Sequence, residues 1–473
     1  MPVGKLKSGC SDPASMVSHC YRIKLWQQNI SLGKTARLVS TIALESQSKP
    51  LFVHMNAKTN FTRGLAIPVQ RSKDKIKDDS CFAFNGPKCR PLESVTVVAL
   101  EQVISGPYCT RQLADLGARV IKIERPGTGD FVRYHDTRVK GLCSHFVWVN
   151  RNKESLALDV KDAQDLEILK RLLRGKADVF VQNLAPGAAE RLGLAYDQVR
   201  KMNDRLIVCE ISGYGSDGPY RNKKAYDLLV QAEAGLLSIT GTRDHVAKVG
   251  CSIGDIAAGM YAYSNIMAAL LQRAKTGKGC RIDVSMLESL VEWMGFPLYY
   301  ALDGAPPPPR AGASHASIYP YGPFETGNGI VMLGIQNDRE WAILCDQVLK
   351  MPELVKDERF KDTALRSDNG AELYDIICGI FAKHNADQVS DMLQAAGIAN
   401  AKVNDMEAVW KHPQLAARRR WSEVATEAGR VKATLLPGMS SSVEPRMDPV
   451  PRIGEHNAKI LAELGRGEKR LKV

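Results

Sequence analysis

A single carboxylate within a run of small residues is the first candidate for chemistry in this sequence. Asp255 follows a glycine in the stretch Lys248–Gly259, and an apolar helical pattern continues from there to about Ala274. An aspartate at this position can cap a helix by accepting hydrogen bonds from the free amides of the first turn. It can also act as a nucleophile, because a neighbouring glycine lets the backbone approach a ligand closely. The stretch by itself leaves both interpretations open.

The elements that would position this carboxylate alternate between strand and helix patterns. The predicted strands are Ser94–Leu100, Arg119–Glu124, Ser155–Val160, Ala177–Gln182, Arg205–Ile211 and Arg281–Val284, and the predicted helices between them include Tyr108–Leu116, Ala163–Arg174 and Leu228–Ile239. This alternation predicts an α/β fold with a Rossmann-like, doubly wound and mostly parallel sheet. Such a sheet binds ligands at the carboxyl ends of its strands.

The first strand-to-helix turn decides against a nicotinamide dinucleotide. Glu124 ends the second strand, where a ribose-binding acid would lie, but the turn Ile104–Cys109 lacks the GxGxxG loop that holds a pyrophosphate. Arg125 follows Glu124 directly and is better suited to a phosphate. The glycine-rich loop Ser212–Pro219 either lets backbone approach a ligand or is simply a turn.

The chain divides at a proline run and at a change in composition. Ala305–Arg310 contains four consecutive prolines and is typical of a stiff linker. We therefore predict an extension at residues 1–90, a large domain at 91–300, a smaller α+β domain at 301–400, and a return to the large domain at 401–473.

The composition of the chain limits the kinds of molecule that the protein is expected to bind. The chain has 473 residues with a net charge of +12, which suits anionic small molecules, and it lacks a nucleic-acid recognition motif or an apolar run that could span a bilayer. Its 11 cysteines form no CxxC pair, which favours a reducing compartment and predicts no structural metal site.

The first part of the chain is basic, serine-rich and poor in acids. Between Met1 and Asn56 the only acidic residues are Asp12 and Glu45. This pattern is similar to that of a mitochondrial transit peptide, although lysine outnumbers arginine in it. A tail in a cytoplasmic protein is the alternative.

Several short motifs, taken in order, carry a resemblance to a known family. They are Ser105–Pro107, Leu116–Asp130, Asn150–Ser155, Asp178–Asn183, Pro186–Gly187, Ser212–Pro219, Tyr226–Asp227, Gly254–Asp255 and Lys275–Gly279. From about Pro91 to Leu464 the chain resembles the class III acyl-CoA transferases, the CaiB/BaiF family. Within that family it looks most like members that act on short dicarboxylic acids, of the succinate–glutarate or itaconate type, in which the segment like Gly312–Tyr321 recurs.

The resemblance implies a fold, an assembly and a set of site residues. It implies two unequal domains in an interlocked homodimer, with Asp255 as the nucleophile and CoA thioesters as substrates rather than a bound prosthetic group. The positions that match the family's CoA contacts are Val103, Ile104, Ser105, Arg125, Leu158, Lys161, Asn183, Arg191 and Lys224. Formyl-CoA transferase has glutamine where this chain has Ile104, which argues against formyl or oxalyl groups. The basic residues among these positions could instead be ordinary surface charges, and Asn183 could simply cap a turn.

The resemblance predicts transfer of CoA from a donor thioester, such as succinyl-CoA, to a short dicarboxylic acid such as itaconate, mesaconate or glutarate. A second carboxylate needs its own cationic or donor-rich partner. We assign this role to Arg310, Ser314, His315 and Tyr226, although a histidine such as His315 is more often a structural hydrogen-bonding residue. The alternatives are a 2-methylacyl-CoA racemase and a non-catalytic acyl-CoA-binding protein. Racemases of the family carry histidine at the position of Tyr226, and tyrosine is a poor proton-transfer group near neutral pH.

Overall fold

The structure is a computed structural model that describes residues 90–465. The predicted targeting segment therefore lies outside the described residues and stays a prediction. No helix of the described part is both long and apolar enough to cross a membrane.

The chain forms eleven strands and seventeen α-helices within the described range. The strands are β1 (Thr96–Leu100), β2 (Arg119–Glu124), β3 (Lys153–Ala157), β4 (Val179–Gln182), β5 (Ile207–Ser212), β6 (Arg281–Ser285), β7 (Tyr321–Glu325), β8 (Ile330–Gly334), β9 (Ala399–Lys402), β10 (Trp421–Thr426) and β11 (Gly429–Thr434). The helices are α1 (Ser105–Asp115), α2 (Ser144–Asn150), α3 (Ala163–Gly175), α4 (Ala188–Arg191), α5 (Tyr196–Val199), α6 (Asp227–Glu233), α7 (Leu236–Ile239), α8 (Ile253–Thr276), α9 (Met286–Trp293), α10 (Gly295–Tyr300), α11 (Asp338–Ile343), α12 (Thr363–Asp368), α13 (Gly370–Phe381), α14 (Ala386–Ala395), α15 (Met406–Trp410), α16 (Pro413–Ala417) and α17 (Asn457–Glu463).

The central sheet has six strands in the order β3-β2-β1-β4-β5-β6, and every neighbouring pair is parallel. This confirms the predicted doubly wound α/β sheet. The chain builds outwards from β1 to β3 and then crosses to β4, so the strand order reverses between β1 and β4. A crevice at such a switch point is where sheets of this type bind ligands.

The sheet is buried on both faces, as expected for apolar parallel strands. On one face, residues of β1, β4 and β5 pack with apolar side chains of α1 and α8. On the other face, alternate residues of the same strands pack with α3. Ile460 of α17, near the end of the described chain, is fully buried in this second core.

Two helix boundaries differ from those predicted. Helix α1 begins at Ser105 rather than Tyr108, because Pro107 lies in its first turn, where a missing N–H costs nothing. The predicted helix Leu228–Ile239 is two helices, α6 and α7, separated at Gly235, which adopts a positive φ of 79°.

A smaller sheet with its own core follows the proline run. Strands β7, β8 and β9 are antiparallel, and their buried face packs on helices α11, α13 and α14. Strands β10 and β11 form an antiparallel hairpin. The predicted domain ranges stay a prediction.

Candidate active site

Asp255 lies in the first turn of α8, but the residue that caps this helix is a different aspartate. Asp227 Oδ1 accepts hydrogen bonds from the backbone amides of Gly254 at 2.8 Å and Asp255 at 3.3 Å. Ser252, at the N-cap position, makes no side-chain cap bond. The capping interpretation of Asp255 is therefore wrong, because Asp227 already takes the amides that Asp255 would have satisfied.

Asp227 is fixed by a chain of partly buried hydrogen bonds. Its Oδ2 accepts a hydrogen bond from Gln231 Nε2 at 2.7 Å, and Gln231 Oε1 in turn accepts from the backbone amide of Val249 at 3.0 Å. Gly213 lets the segment before Asp227 come close, since a Cβ at Gly213 would lie 2.2 Å from the Cβ of Ala225. The glycine-rich loop after β5 thus helps to position the cap of α8.

Helix α1 brings a second set of groups to Asp255. At Gly259 the two helices are so close that an added Cβ would lie 2.8 Å from the carbonyl oxygen of Ser105. This close approach places the first turn of α1 beside the first turn of α8. The backbone amide and the hydroxyl of Ser105 lie near enough to the Asp255 carboxyl to stabilise its charged form.

Burial and a neighbouring charge perturb the nucleophile candidate. Removal from water raises the pKa of Asp255 to about 7, and repulsion from the Asp227 carboxylate adds to the rise. The Ser105 hydroxyl and amide oppose it by stabilising the charged form. A carboxyl with a strongly raised pKa in a crevice is typical of a functional site, whereas most surface aspartates keep their ordinary pKa.

Asn183 connects β4 to the turn after β1. Its Oδ1 accepts from the amide of Gln102 at 2.9 Å, and its Nδ2 donates to the Gln102 carbonyl at 2.8 Å and to Ser105 Oγ at 3.2 Å. Because the Ser105 oxygen accepts this bond, its own proton is free to point at Asp255. Asn183 therefore orients the turn and the hydroxyl rather than only capping its own loop.

The remaining predicted CoA contacts lie at the carboxyl edge of the sheet. Arg125 directly follows β2, Leu158 directly follows β3, and the Val103–Ser105 turn follows β1. Leu158 is buried, and its side chain belongs to the core beneath this edge. Ile104 is buried as well and occupies the N-cap position of α1.

Four cations of this set are exposed and have no acidic partner. Arg125, Lys161, Arg191 and Lys224 make no ion pair with any residue in the range 90–465. Arg191 thus does not pair with its neighbour Glu190. Unpaired cations at the ligand-binding edge of the sheet suit a ligand that carries several phosphates.

A cavity of about 420 Å³ opens at the carboxyl ends of β4 and β5, outside the Asp255 site. Its lining contains two arginines but four carboxylates, namely Arg221, Arg281, Glu190, Asp197, Glu210 and Asp283. An excess of carboxylates repels a diphosphate, so this cavity is a poor site for the nucleotide.

The predicted acceptor-binding group is held mainly through backbone atoms. Arg310 Nε and Nη2 donate to the carbonyls of Thr242 and Arg243 at 2.9 and 2.7 Å. Arg310 therefore ties its segment to the loop that leads to Asp255, and its guanidinium is already engaged. Ser314 is half-buried, and Gly322 leaves it room.

His315 presents a single well-defined donor. Its Nδ1 accepts from the amides of Ser317 at 3.2 Å and Ile318 at 3.1 Å, and its ring stacks on Tyr321 with centroids 5.3 Å apart. A neutral ring that accepts at Nδ1 carries its proton at Nε2. Because the residue is exposed, that Nε2–H can donate to a ligand. Tyr226, directly before Asp227, is 70% exposed.

Sequence reasoning missed two aspartates. Asp227 was part of a motif, but nothing in its spacing showed that it caps a helix 28 residues further along the chain. Asp130 ended the Leu116–Asp130 motif without an assigned role, and it is buried with hydrogen bonds to the turn after β1. The signal available in the sequence was only that Asp130 directly follows a glycine, Gly129.

A parallel sheet with a half-buried carboxyl at its switch point and unpaired cations along its edge suits a ligand that carries several phosphates. The family model for CoA-transferase family III matches residues 92–457. The chain belongs to this family and is therefore an enzyme of the class III CoA-transferases, whose substrates are CoA thioesters. The predicted membership is confirmed.

Individual relatives support the same assignment. The chain is 35% identical over 387 residues to the human succinyl-CoA:glutarate CoA-transferase, covering 80% of this chain and 87% of that one. It is 32% identical to the succinyl-CoA:mesaconate CoA-transferase of Haloarcula hispanica, covering 80% and 97%. Among solved structures, a CaiB/BaiF family protein from Brucella suis superposes with a TM-score of 0.72 at 31% identity, covering 80% of this chain and all of that one.

Proposed function

We propose that this enzyme transfers CoA from succinyl-CoA to a short dicarboxylic acid, with Asp255 as the covalent nucleophile. The observation that carries the proposal is the Asp255 carboxyl itself, which is enclosed between the first turns of α1 and α8 and is not used as a cap. The similarity to enzymes named for glutarate and mesaconate supports a dicarboxylate acceptor.

The reaction proceeds through four carbonyl substitutions. The Asp255 carboxylate attacks the succinyl-CoA carbonyl, the C–S bond breaks, and a mixed anhydride and CoA thiolate form. The thiolate attacks the aspartyl carbonyl of the anhydride, releasing succinate and leaving an aspartyl-CoA thioester. The acceptor carboxylate attacks this thioester and expels the thiolate, which then attacks the acceptor carbonyl of the new anhydride. The acceptor leaves as its CoA ester and Asp255 is regenerated.

The geometry around Asp255 supports this role. A raised pKa increases the intrinsic nucleophilicity of the carboxylate but requires deprotonation, so the reacting form accumulates above about pH 7. The Ser105 hydroxyl, oriented by Asn183, supports the charged form between attacks. Backbone amides from a glycine loop are the proposed donors to each oxyanion.

The two substrates use different parts of the site. The nucleotide and phosphates of CoA lie against the unpaired cations Arg125, Lys161, Arg191 and Lys224, because these are exposed at the carboxyl edge of the sheet. The distal carboxylate of the acceptor accepts a hydrogen bond from His315 Nε2, the donor left free by the backbone contacts to Nδ1. Itaconate, mesaconate and glutarate are the acceptors proposed.

An exposed apolar surface supports the proposed homodimer. Helices α9 and α10 expose large side chains towards solvent, among them Phe296 at 62% and Tyr299 at 78%. Contiguous aromatic surface of this kind usually marks an interface. Tyr299→Glu should shift the solution mass of the protein towards the monomer, as measured by light scattering.

The decisive experiment combines chemical trapping with a panel of acceptors. Incubation with succinyl-CoA and hydroxylamine or borohydride should modify Asp255, as located by peptide mass spectrometry, because both reagents capture an activated carboxyl. A panel of carboxylic acids with succinyl-CoA should give CoA esters of C4–C5 dicarboxylates in preference to monocarboxylates. No modification of Asp255 would refute the covalent route, while preference for a monocarboxylate would refute only the acceptor class.

A further inference from the structure

The turn between β1 and α1 contains a backbone conformation that valine rarely adopts. Val103 has φ of 63°, in the left-handed region, although it is β-branched. Strained residues of this kind persist only where their surroundings hold them, and they cluster at functional sites. Val103 lies two residues before Ser105, whose amide and hydroxyl act on Asp255.

A buried aspartate holds this conformation. The backbone amide of Val103 donates to both carboxylate oxygens of Asp130, at 3.3 and 3.2 Å. The side chain of Asp130 is 0% exposed. Its Oδ1 also accepts from the amide of Val132 at 3.1 Å. The carboxylate thus accepts hydrogen bonds from two backbone amides, and one of these is the amide of the strained residue Val103.

A buried lysine fixes Asp130 and the turn together. Lys122 Nζ donates to Asp130 Oδ2 at 2.9 Å and to the carbonyl of Glu101 at 3.2 Å. The carboxylate of Glu101 is held in turn by Lys153 Nζ at 2.7 Å and by Thr110 Oγ1 at 2.7 Å. All four charges are fully buried, so the network tolerates little movement.

We infer that Asp130 is a positioning residue for the nucleophile: its carboxylate keeps Val103 in the left-handed conformation, so that the amide and hydroxyl of Ser105 remain at Asp255. This inference rests on the proposed role of Asp255. Asp130 acts through the backbone and does not touch the substrate. Its contribution lies in kcat, since the turn it holds contacts the reacting carboxylate.

The first test uses Asp130→Asn, which keeps the shape of the side chain but weakens its bonds to Val103 and Lys122. We expect kcat to fall between about tenfold and a hundredfold, the size of effect that a small misplacement near a reacting group causes. Asp115→Asn is the matched control, because Asp115 is an equally buried, ion-paired aspartate at the other end of α1 without a contact to the turn. The control should lose thermal stability yet keep kcat within about twofold.

The second test separates positioning from the ion pair with Lys122. Val103→Pro removes the N–H and imposes a φ near −65°, while it leaves the Asp130–Lys122 pair intact, and it should lower kcat as Asp130→Asn does. Glycine adopts a positive φ without strain. Adding Val103→Gly to Asp130→Asn should therefore restore most of the lost kcat, measured at saturating succinyl-CoA because Val103 is also a predicted CoA contact, whereas a purely structural role of Asp130 would allow no such rescue.

The pH profile supplies a readout that a loss of stability would not move. Ser105 lowers the pKa of Asp255, so displacing it should move the acidic limb of kcat/KM to higher pH in Asp130→Asn and Val103→Pro. Simple removal of a negative charge near Asp255 would move that limb to lower pH. The direction of the shift thus distinguishes the two causes.

The outcomes separate this inference from the proposed function. Normal turnover in Val103→Pro would overturn the inference, and so would an acidic limb of kcat/KM that moves to lower pH in Asp130→Asn. In either case Asp255→Asn would still be inactive, so the proposed function would stand. Full activity of Asp255→Asn would instead refute the proposed function and leave Asp130 with no target. If Asp130→Asn does not fold, Val103→Pro alone decides the question.

Discussion

The surroundings of the nucleophile and the segment that carries the acceptor-binding candidates are built in different ways. Asp255 is enclosed by side chains that are themselves fixed, with Asp227 capping its helix and Asn183 holding the adjacent turn. The segment around His315 is exposed, and it is held by bonds that involve backbone amides and carbonyls, as at Arg310.

This difference separates the demands of chemistry from those of specificity. A covalent step needs the reacting carboxylate held to within a fraction of an ångström. Interlocked, partly buried side chains provide this, but they tolerate few substitutions. A segment that is fixed through its backbone can accept side-chain substitutions without a change in its backbone conformation. Relatives named for glutarate and mesaconate show that members of one family act on different acceptors.

The largest effect should follow from removing the nucleophile. Asp255→Asn keeps the volume of the side chain but cannot attack a thioester, so turnover should fall by at least about a thousandfold. Steady-state assays with succinyl-CoA measure this, and unchanged circular dichroism shows that the fold persists. Turnover within tenfold of the wild type would show that the site around Asp255 is not the reactive one.

The pH dependence should reveal the environment of the same carboxyl. With a pKa of about 7, Asp255 is increasingly protonated below neutrality, so kcat/KM should fall about tenfold per pH unit on the acidic side. Asp227→Asn removes a repulsion that raises this pKa, and the acidic limb should then move to lower pH. A limb left in place would show that burial alone sets the pKa.

The raised pKa of Asp255 should also lower the free energy of unfolding at neutral and higher pH. Folding raises the pKa of Asp255 to about 7, so the folded chain holds a proton that the unfolded chain releases from about pH 4 upwards. The resulting cost grows from pH 4 to pH 7 and is complete above that. Asp255→Asn should therefore raise the free energy of unfolding at pH 8 by about 1–3 kcal/mol, with a smaller gain at pH 5. Urea denaturation at both values measures it, and a gain independent of pH would contradict the explanation.

The sequence predicted the sheet well because each strand carries its own apolar, β-branched pattern, and β2 lies where the pattern of Arg119–Glu124 placed it. Prediction from the sequence failed where contacts between residues far apart in the chain determine the structure. The cap on α8 comes from Asp227, far away in the chain, and no local pattern reports such a contact. The predicted roles of Arg310 and His315 could not be weighed from sequence, because only the structure shows which of their donors are already engaged.

The acceptor segment should respond in affinity rather than in turnover. His315→Ala removes the free Nε2–H donor, so the KM for the dicarboxylate should rise about tenfold while that for succinyl-CoA changes little, as for the loss of one hydrogen bond to a charged group. Arg310→Gln is the comparison, since it loosens the segment through its carbonyl contacts. A loss of kcat with unchanged KM in His315→Ala would show that this histidine acts in the chemical step rather than in binding the acceptor.

The smallest effects should come from the exposed cations at the edge of the sheet. Lys224→Gln and Arg125→Gln each remove one exposed charge near the proposed phosphates, and an exposed pair contributes only about 0.2–1 kcal/mol, so the KM for the CoA donor should rise about two- to fivefold in each variant. The wild-type KM should rise with salt, and the variants should show a weaker dependence, because screening acts on the same charges. Lys411→Gln is the matched control, since Lys411 already pairs with Glu407 on an exposed helix. If the control shifts the donor KM as much as Lys224→Gln, the effect reflects net charge rather than a phosphate contact, and the edge of the sheet would lose its role as the CoA-binding surface.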